Sequence, residues 1–214
     1  MHILTKDLIF PPADFANEDG LLAIGGDLST DRLLLAYRNG IFPWFAKDEP
    51  ICWYCPDPRF VLFPSELKIS NSMRTVMNKG LFKFTIDKAF EELIKHCQTV
   101  FRKDQPGTWI TNEMLTAYIN LHKAGYAHSS EAWKNGELVG GIYGIIIGKV
   151  FFGESMFSKQ SNASKFAFIK FTQHLQKQNV QLIDCQVYTN HLESLGAKMI
   201  ERKYFLKILQ TLAN

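Results

Sequence analysis

The spacing of the hydrophobic residues changes about half-way along the chain. Between residues 87 and 124 apolar side chains recur every three to four positions, which is the spacing of amphipathic helices. Two helices are therefore predicted, over residues 87–98 and 112–124. Thr111 or Asn112 supplies the polar side chain that begins the second helix, and Gly125 ends it.

After Gly125 the residues no longer follow a helical period and the pattern becomes that of extended chain. Asn135-Gly136 is a strong signal for a two-residue hairpin, and Gly148-Lys149 suits a second tight turn. The sequence therefore predicts an antiparallel meander of three strands. These strands cover residues 127–134, 138–147 and 150–156.

A long helix and a further strand follow the meander. Phe168, Phe171 and Leu175 share one face of a helix predicted over residues 162–177, and the next apolar run predicts a strand over residues 181–188. This order of elements indicates an α+β fold with a mostly antiparallel sheet. Acyltransferases of the N-acetyltransferase type have the same order, which is an analogy of fold alone. The remaining predictions are a short helix at residues 191–195 and a segment of undetermined type at residues 198–209.

The beginning of the chain differs from the rest because it is rich in proline, glycine and aromatic residues. It holds one short predicted helix, which Ser29 begins and Asn39-Gly40 ends. We therefore predict a small N-terminal α/β domain over residues 1–63, packed on an acetyltransferase-like domain over residues 64–214.

Composition and charge narrow the class of protein. With 46% hydrophobic and 21% charged residues, the 214-residue chain has the composition of a globular protein, which excludes a disordered or collagen-like chain. Aromatic residues make up 13%, enough to build a large core and still leave rings for contact with a ligand. The net charge of +3 divides into −4 over residues 1–60 and +7 over residues 61–214, so the second part is the better candidate for binding a polyanion.

The cysteines and the start of the chain favour a cytoplasmic protein without a metal. Cys52 and Cys55 have C-x-x-C spacing, but no second pair of cysteines or histidines has the spacing of zinc ligands. Lys6 and Asp7 interrupt the apolar run that a secretory signal needs, and no stretch has the roughly 20 apolar residues that cross a bilayer. We therefore expect no cofactor and reduced thiols.

Polar side chains interrupt an apolar run between residues 182 and 188. Alternate residues of a strand share a face, so Asp184 and Gln186 are expected to point the same way and Cys185 the other way. A carboxylate in such a run is costly unless it is paired or hydrogen-bonded. Two interpretations stay open, a buried aspartate that binds loop backbone and a carboxylate that orients a carboxamide beside a reacting centre.

Glu154 interrupts a second apolar run in the same way. It follows Gly153, which would let a ligand or another strand approach closely. Glu154 is either a surface charge at a strand end or part of a site shared with Asp184, since the two strands are expected to be neighbours.

Other catalytic chemistries have no support in the sequence. It contains no G-x-S-x-G, no H-E-x-x-H and no P-loop. The stretch at residues 158–165, ahead of the long helix, has no glycine to cradle the pyrophosphate of coenzyme A, which argues against that acyl donor.

Several segments of the chain closely resemble the bacterial leucyl/phenylalanyl-tRNA–protein transferase family. They span nearly the whole chain in order, and the combination of GESMFS and DCQ with GGDLS is highly specific. The segments are FPP at 10–12, GLLAIGGDLS at 20–29, GIFPWF at 40–45, WYCPDPR at 53–59, TWIT at 108–111, GELVGGIYG at 136–144, FFGESMFS at 151–158, NASK at 162–165, LIDCQ at 182–186 and HLESLGA at 191–197.

This resemblance implies an aminoacyltransferase. Such enzymes move leucine or phenylalanine, and less readily methionine, from aminoacyl-tRNA to a protein that begins with arginine or lysine, which marks it for N-end-rule degradation. The resemblance also implies a GNAT-type catalytic domain, no metal, and a cytoplasmic monomer.

The resemblance further implies roles for individual residues. Gln186 would hold the attacking amine through its side-chain oxygen, and Asp184 would polarise and orient it. Glu154 would lie near the α-amino group of the donor, with Ser155 beside it in the substrate site. The apolar pocket for the donor side chain would be formed by Trp53, Trp109, Ile142 and Phe151.

Two alternatives stay open at this stage. The first is an acetyltransferase-like enzyme that uses another acyl donor. The second is a non-catalytic module that binds tRNA or N-terminal peptides, although such a module has no obvious use for the pair of Asp184 and Gln186.

Overall fold

A computed structural model describes residues 2–99 and 110–213. These residues form two β-sheets and the helices that pack on them. The predicted α+β class is confirmed, and the predicted helices over residues 87–98, 112–124 and 162–177 are present within three residues at each end. The α-helices of the described ranges are α1 (Thr30–Arg38), α2 (Asn71–Asn78), α3 (Phe90–Thr99), α4 (Asn112–Lys123), α5 (Ala163–Lys177), α6 (Asn190–Glu193) and α7 (Arg202–Leu212).

A small sheet lies in the N-terminal part of the chain. Its strand order is β1-β2-β4-β3, with β1 and β2 parallel and the other neighbours antiparallel. Helix α1 follows β2 and begins at Ser29, whose side chain accepts the backbone N–H of Arg32 as predicted for a helix cap. The strands are β1 (His2–Leu4), β2 (Leu21–Gly25), β3 (Phe42–Pro43) and β4 (Cys52–Tyr54).

A larger sheet has the order β11-β5-β10-β9-β8-β7-β6 and contains the predicted antiparallel meander as β7, β8 and β9. All neighbours are antiparallel except β9 and β10, which are parallel. The segment of undetermined type at its end forms β11 and α7. The strands are β5 (Arg59–Leu62), β6 (Lys83–Ile86), β7 (Ala127–Lys134), β8 (Glu137–Ile147), β9 (Val150–Ser158), β10 (Leu182–Gln186) and β11 (Lys198–Ile200).

Strand β5 joins the two parts of the protein. The predicted boundary at residue 63 assigns this strand to the small domain, whereas its hydrogen bonds join it to β10 and β11 of the large sheet. The physical reason is that Phe60, Val61 and Leu62 are all fully buried, so the strand needs cover on both faces.

The large sheet separates two hydrophobic cores, and alternate residues of its central strands point to opposite cores. Phe152 and Leu182 belong to the core that contains residues of α1, α3, α4 and α7, whereas Phe151 and Ile183 belong to the core around α5. No helix in the described ranges has the length and apolar composition that crossing a membrane requires.

The parallel pair β9 and β10 opens into a gap. Its last paired residues are Phe152 and Asp184, after which the two strands separate. Tyr143 of β8 pairs with Ser155 of β9, and Gly144 of β8 pairs with Gly153 of β9, so Glu154 is the extra residue of a β-bulge in β9. This bulge and the opened strands position the site described next.

Candidate active site

A cavity of about 610 Å³ lies where β9 and β10 separate, and β3 of the small sheet closes one side of it. Its walls are mostly apolar, which suits a ligand with a hydrophobic side chain. Polar atoms of Glu154 and Gln186 lie among these walls. Lining residues include Phe42, Trp44, Ile142, Gly153, Ser155, Phe168, Ile183, Tyr188 and His191.

The carboxylate of Glu154 is partly buried and lies at the meeting point of three donors. Its Oε1 accepts hydrogen bonds from the hydroxyl of Tyr37 at 2.8 Å and from Nε2 of Gln186 at 2.9 Å. Its Oε2 accepts from the hydroxyl of Tyr118 at 2.7 Å. Burial raises the pKa of Glu154 to about 7, although the three donors act in the opposite direction and Asp184 adds to the rise.

Gln186 is held in a backbone conformation that only a surrounding structure can stabilise. Its φ is +63°, in the left-handed region that side chains other than glycine rarely adopt. It lies next to a register shift in the pairing of β10 with β5. Since its Nε2 is used by Glu154, its Oε1 is the polar atom left to meet a ligand, and no donor from the described residues binds it.

Asp184 is fully buried and forms an ion pair with Arg59. Oδ1 of Asp184 accepts from Nε of Arg59 at 2.8 Å, and Oδ2 accepts from Nη2 at 2.6 Å. The guanidinium lies between the rings of Phe42 and Phe205, 4.7 Å from each ring centre. Burial alone would lower the pKa of Arg59, but the Asp184 carboxylate raises it above its ordinary value, so the guanidinium stays charged.

The relation between Asp184 and Gln186 differs from the expectation. Both residues lie at the cavity, but the carboxylate does not meet the carboxamide. Instead Oδ1 of Asp184 accepts the backbone N–H of Gln186 at 2.9 Å. The bulge at this point turns the Gln186 side chain towards Glu154, so Asp184 orients Gln186 through the backbone.

Of the predicted pocket residues, Ile142 and Ser155 line the cavity. Phe151 is fully buried behind it, with its ring edge-on to Phe171 at 5.1 Å between ring centres. A Cβ placed on Gly153 would meet the Phe151 ring at 3.6 Å, an ordinary contact distance.

The structure does not bring Trp53 to this cavity. It is fully buried in the small sheet, where its Nε1 donates to the carbonyl oxygen of Gly25 at 2.9 Å and its ring packs against Phe10. The prediction placed Trp53 in the pocket because the sequence does not distinguish a tryptophan of the core from a tryptophan of a pocket. Trp109 lies outside the described residues.

Several residues of the site were not singled out by sequence analysis. Tyr37 and Tyr118 are fully buried on helices α1 and α4, where aromatic residues ordinarily form core. Arg59 could have been predicted from the sequence. It is a lone cation beside an apolar run, and a buried cation needs a negatively charged partner such as Asp184. Trp44 and Tyr188 line the cavity and are 37% and 45% exposed, so their rings are available to a ligand.

His191 lines the same cavity from α6. Its Nε2 is buried and has no hydrogen-bond partner among the residues that the structure describes. Burial and the nearby Lys165 lower the pKa of His191, which favours the neutral ring. In the same ranges no group of three or more His, Cys, Asp or Glu residues lies close enough together to hold a metal ion.

Comparisons with protein families and with curated proteins point to one family. Residues 61–210 match the family described as "Leucyl/phenylalanyl-tRNA protein transferase", and residues 26–57 match "Leucyl/phenylalanyl-tRNA protein transferase N-terminal domain". This division supports a separate N-terminal domain.

Individual relatives carry the same description. A protein from Flavobacterium johnsoniae named "Leucyl/phenylalanyl-tRNA--protein transferase" is 58% identical over 99% of this chain and 100% of its own. One of the same name from Syntrophobacter fumaroxidans is 55% identical over 96% of this chain and 88% of its own. Among solved structures, a GCN5-related N-acetyltransferase from Kribbella flavida has 10% identity and a TM-score of 0.42, covering 77% of this chain and 58% of that one.

Proposed function

This chain belongs to the leucyl/phenylalanyl-tRNA–protein transferase family, and from that premise we propose that it moves leucine or phenylalanine, and less readily methionine, to proteins that begin with arginine or lysine. The chain is an aminoacyltransferase that uses aminoacyl-tRNA as donor and a protein as acceptor. The product would enter N-end-rule degradation in the cytoplasm, and the enzyme would act as a monomer. The observation that supports this proposal best is an apolar cavity with the free amide oxygen of Gln186 and the carboxylate of Glu154 at its base.

The reaction needs alignment more than it needs a strong base. The acceptor α-amine has an ordinary pKa of roughly 7.7–8.0, so part of it is neutral at cellular pH. Its nitrogen attacks the ester carbonyl carbon, the bond from that carbon to the 3′ oxygen of the tRNA breaks, and one amine proton goes to the leaving oxygen or to water. Holding the amine and the ester in contact supplies much of the rate enhancement.

We assign Gln186 to the acceptor amine. Its amide Nε2 is used by Glu154, which fixes the rotation of the carboxamide and leaves Oε1 as the acceptor for an amine N–H. Asp184 and Arg59 act as positioning residues, because they hold the backbone of Gln186 and are themselves fully buried. Preorganised groups of this kind lose little orientational freedom when substrate binds.

We assign Glu154 to the α-amino group of the donor, with Ser155 beside it. A carboxyl group in a low-dielectric wall binds an amino group more strongly than it would in water. The donor side chain would enter the apolar part of the cavity, beside Ile142 with Phe151 behind it. Such a pocket suits leucine and phenylalanine because Ile142 and Phe151 offer these side chains apolar surface.

Trp109 remains a predicted member of this pocket. The tRNA would be held mainly through its phosphates by lysine and arginine side chains within residues 61–214. Its binding would therefore weaken as salt concentration rises. Membership of the family argues against both alternatives, a different acyl donor and a non-catalytic binding module.

The experiment that tests this function is transfer of labelled amino acid from Phe-tRNA, Leu-tRNA and Met-tRNA to peptides that differ only in their first residue. We expect transfer to Arg- and Lys-initiated peptides, with Met-tRNA the poorest donor and a Met-initiated peptide as the matched negative acceptor. Equal transfer to all three peptides, or none from Phe-tRNA and Leu-tRNA, would contradict the proposal.

A further inference from the structure

Three oxygen-bearing groups behind the cavity form a closed triangle. The hydroxyls of Tyr37 and Tyr118 are 2.5 Å apart. Each hydroxyl also contacts one oxygen of Glu154, Tyr37 at 2.8 Å to Oε1 and Tyr118 at 2.7 Å to Oε2. Both phenols are fully buried, so water does not reach the contact between them. We refer to Tyr37, Tyr118 and Glu154 as the carboxyl–phenol triad.

The number of protons in the triad decides its charge. Each of the three contacts is as short as a hydrogen bond, and a hydrogen bond needs one proton between its two oxygens. The phenols bring two protons. If Glu154 is ionised, one pair of oxygens therefore meets without a proton, which is unfavourable in a buried site. A third proton, on the carboxyl group, completes all three bonds.

The contact with Gln186 indicates where this third proton lies. Nε2 of Gln186 donates to Oε1 of Glu154, so Oε1 is an acceptor and the proton belongs on Oε2. With this third proton present the direction of one bond reverses, so that Oε2 of Glu154 donates to Tyr118, the hydroxyl of Tyr118 donates to Tyr37, and the hydroxyl of Tyr37 donates to Oε1. The ring of hydrogen bonds is then closed. Without this proton both phenols donate to the carboxylate.

We propose that the carboxyl–phenol triad holds Glu154 in its neutral form while the donor site is empty, and that binding of the donor α-amino group releases the triad's extra proton. The second half rests on the proposed function, which places that amino group against Glu154. Tyr37 and Tyr118 are thereby positioning residues for the donor, each acting through the carboxyl group that it contacts.

The charged surroundings of the triad do not oppose a neutral carboxyl group. On β10, Asp184 carries a negative charge, but Arg59 on β5 neutralises it at 2.6 Å. From β8 the ring of Tyr143 packs against Tyr118 with 5.5 Å between ring centres. On α6, His191 has a pKa lowered by burial and contributes no fixed positive charge.

At pH 6 the α-amino group of the free donor is an ammonium group. After binding, the amino group and Glu154 form either an ammonium–carboxylate pair or an amine–carboxylic acid pair. Both pairs contain one proton fewer than the free ammonium and the neutral triad together, so one proton passes to the solvent. If Glu154 were already ionised in the empty protein, binding would release none.

The first experiment needs no substrate. Infrared difference spectra over a pH series follow the carbonyl stretch of a protonated carboxyl group in the full-length protein, and the Glu154→Gln variant identifies the band that belongs to Glu154. We expect a midpoint near pH 7. A midpoint below about pH 5, the range of an ordinary glutamate, would overturn the proposal.

Single tyrosine-to-phenylalanine substitutions test the effect of the phenol hydroxyls on Glu154 while leaving the packing of the rings in place. Tyr37→Phe and Tyr118→Phe each keep the ring but abolish the phenol–phenol contact that lacks a proton when Glu154 is ionised, so each is expected to move the midpoint downward by roughly one pH unit. Tyr143→Phe removes a buried phenol hydroxyl outside the triad and serves as the matched control, with a midpoint close to that of the unmodified protein. Unchanged or higher midpoints in the two triad variants would overturn the proposal, because they would show that the phenol pair does not hold Glu154 in its neutral form.

The second experiment measures proton release. The stable amide analogue of 3′-phenylalanyl-adenosine is titrated into the protein at pH 6 in buffers of different ionisation enthalpy, which reports the protons released on binding by calorimetry. We expect about one proton, and none with Glu154→Gln. Binding without proton release would overturn the release step. An analogue that fails to bind would contradict the proposed function and the release step together, while the infrared titration still decides the protonation of the triad.

Discussion

Oδ1 of Asp184 accepts the backbone N–H of Gln186 at 2.9 Å, and this contact fixes a residue whose φ is +63°. The same carboxylate is held by the fully buried guanidinium of Arg59. The amide oxygen of Gln186, which we propose holds the acceptor amine, therefore depends on an ion pair that is itself fully buried.

The ion pair leads to a prediction about stability. Asp184→Asn leaves Arg59 buried without its counter-charge, so the free energy of unfolding is expected to fall by about 3–5 kcal/mol in chemical denaturation. The matched control is the double variant Arg59→Met with Asp184→Leu, which removes both charges together. Its loss of stability should be smaller than the sum of the losses of Arg59→Met and Asp184→Leu made singly, and simple additivity would contradict the pairing.

The backbone of Gln186 leads to a second prediction. A left-handed conformation strains every residue except glycine, so Gln186→Gly is expected to be more stable to denaturant than Gln186→Ala by about 1 kcal/mol. Both variants lack the amide oxygen and should transfer poorly. Equal stability of the two would show that the left-handed backbone is not retained in solution.

Two glycines at the bulge behave differently on substitution. A Cβ on Gly144 would lie 2.1 Å from the carbonyl oxygen of Phe152, whereas a Cβ on Gly153 meets nothing closer than 3.5 Å. Gly144→Ala is therefore expected to lower the free energy of unfolding by about 2 kcal/mol or more, and Gly153→Ala by less than about 0.5 kcal/mol. Thermal unfolding of both variants is the measurement, and equal losses would contradict the register of β8 against β9.

The raised pKa of Glu154 predicts a pH dependence of stability. Between pH 4.5, the ordinary value for glutamate, and pH 7 the folded protein binds more protons at this site than the unfolded chain, so this residue's contribution to stability falls as pH rises. Glu154→Gln keeps a neutral side chain at every pH. It should match the unmodified protein near pH 4 and exceed it by about 1–3 kcal/mol at pH 8. A difference that does not grow with pH would contradict the raised pKa.

Much of the fold followed from local signals. Asn135-Gly136 predicted the hairpin between β7 and β8, and the polar breaks at Glu154 and Asp184 pointed to the strand ends where the cavity lies. These predictions succeeded because turn chemistry and the cost of a carboxylate in an apolar run act locally.

The contacts inside the site could not be predicted in the same way. Strict alternation along β10 suggested a direct contact between the side chains of Asp184 and Gln186, but the bulge breaks that alternation. Tyr37 and Tyr118 lie on different helices, far apart in sequence, and meet only because those helices pack on one face of the sheet. Trp53 was predicted to line the pocket, whereas its large ring is buried in a core away from the cavity.

Transfer in a single turnover tests the central claim most directly. Labelled phenylalanine is followed from Phe-tRNA to an Arg-initiated peptide with enzyme in excess, for the unmodified protein and for Gln186→Ala, after circular dichroism has shown that both are folded. We expect Gln186→Ala to slow transfer by about a hundredfold or more, because the acceptor amine loses the oxygen that aligns it. A rate close to that of the unmodified protein would contradict it.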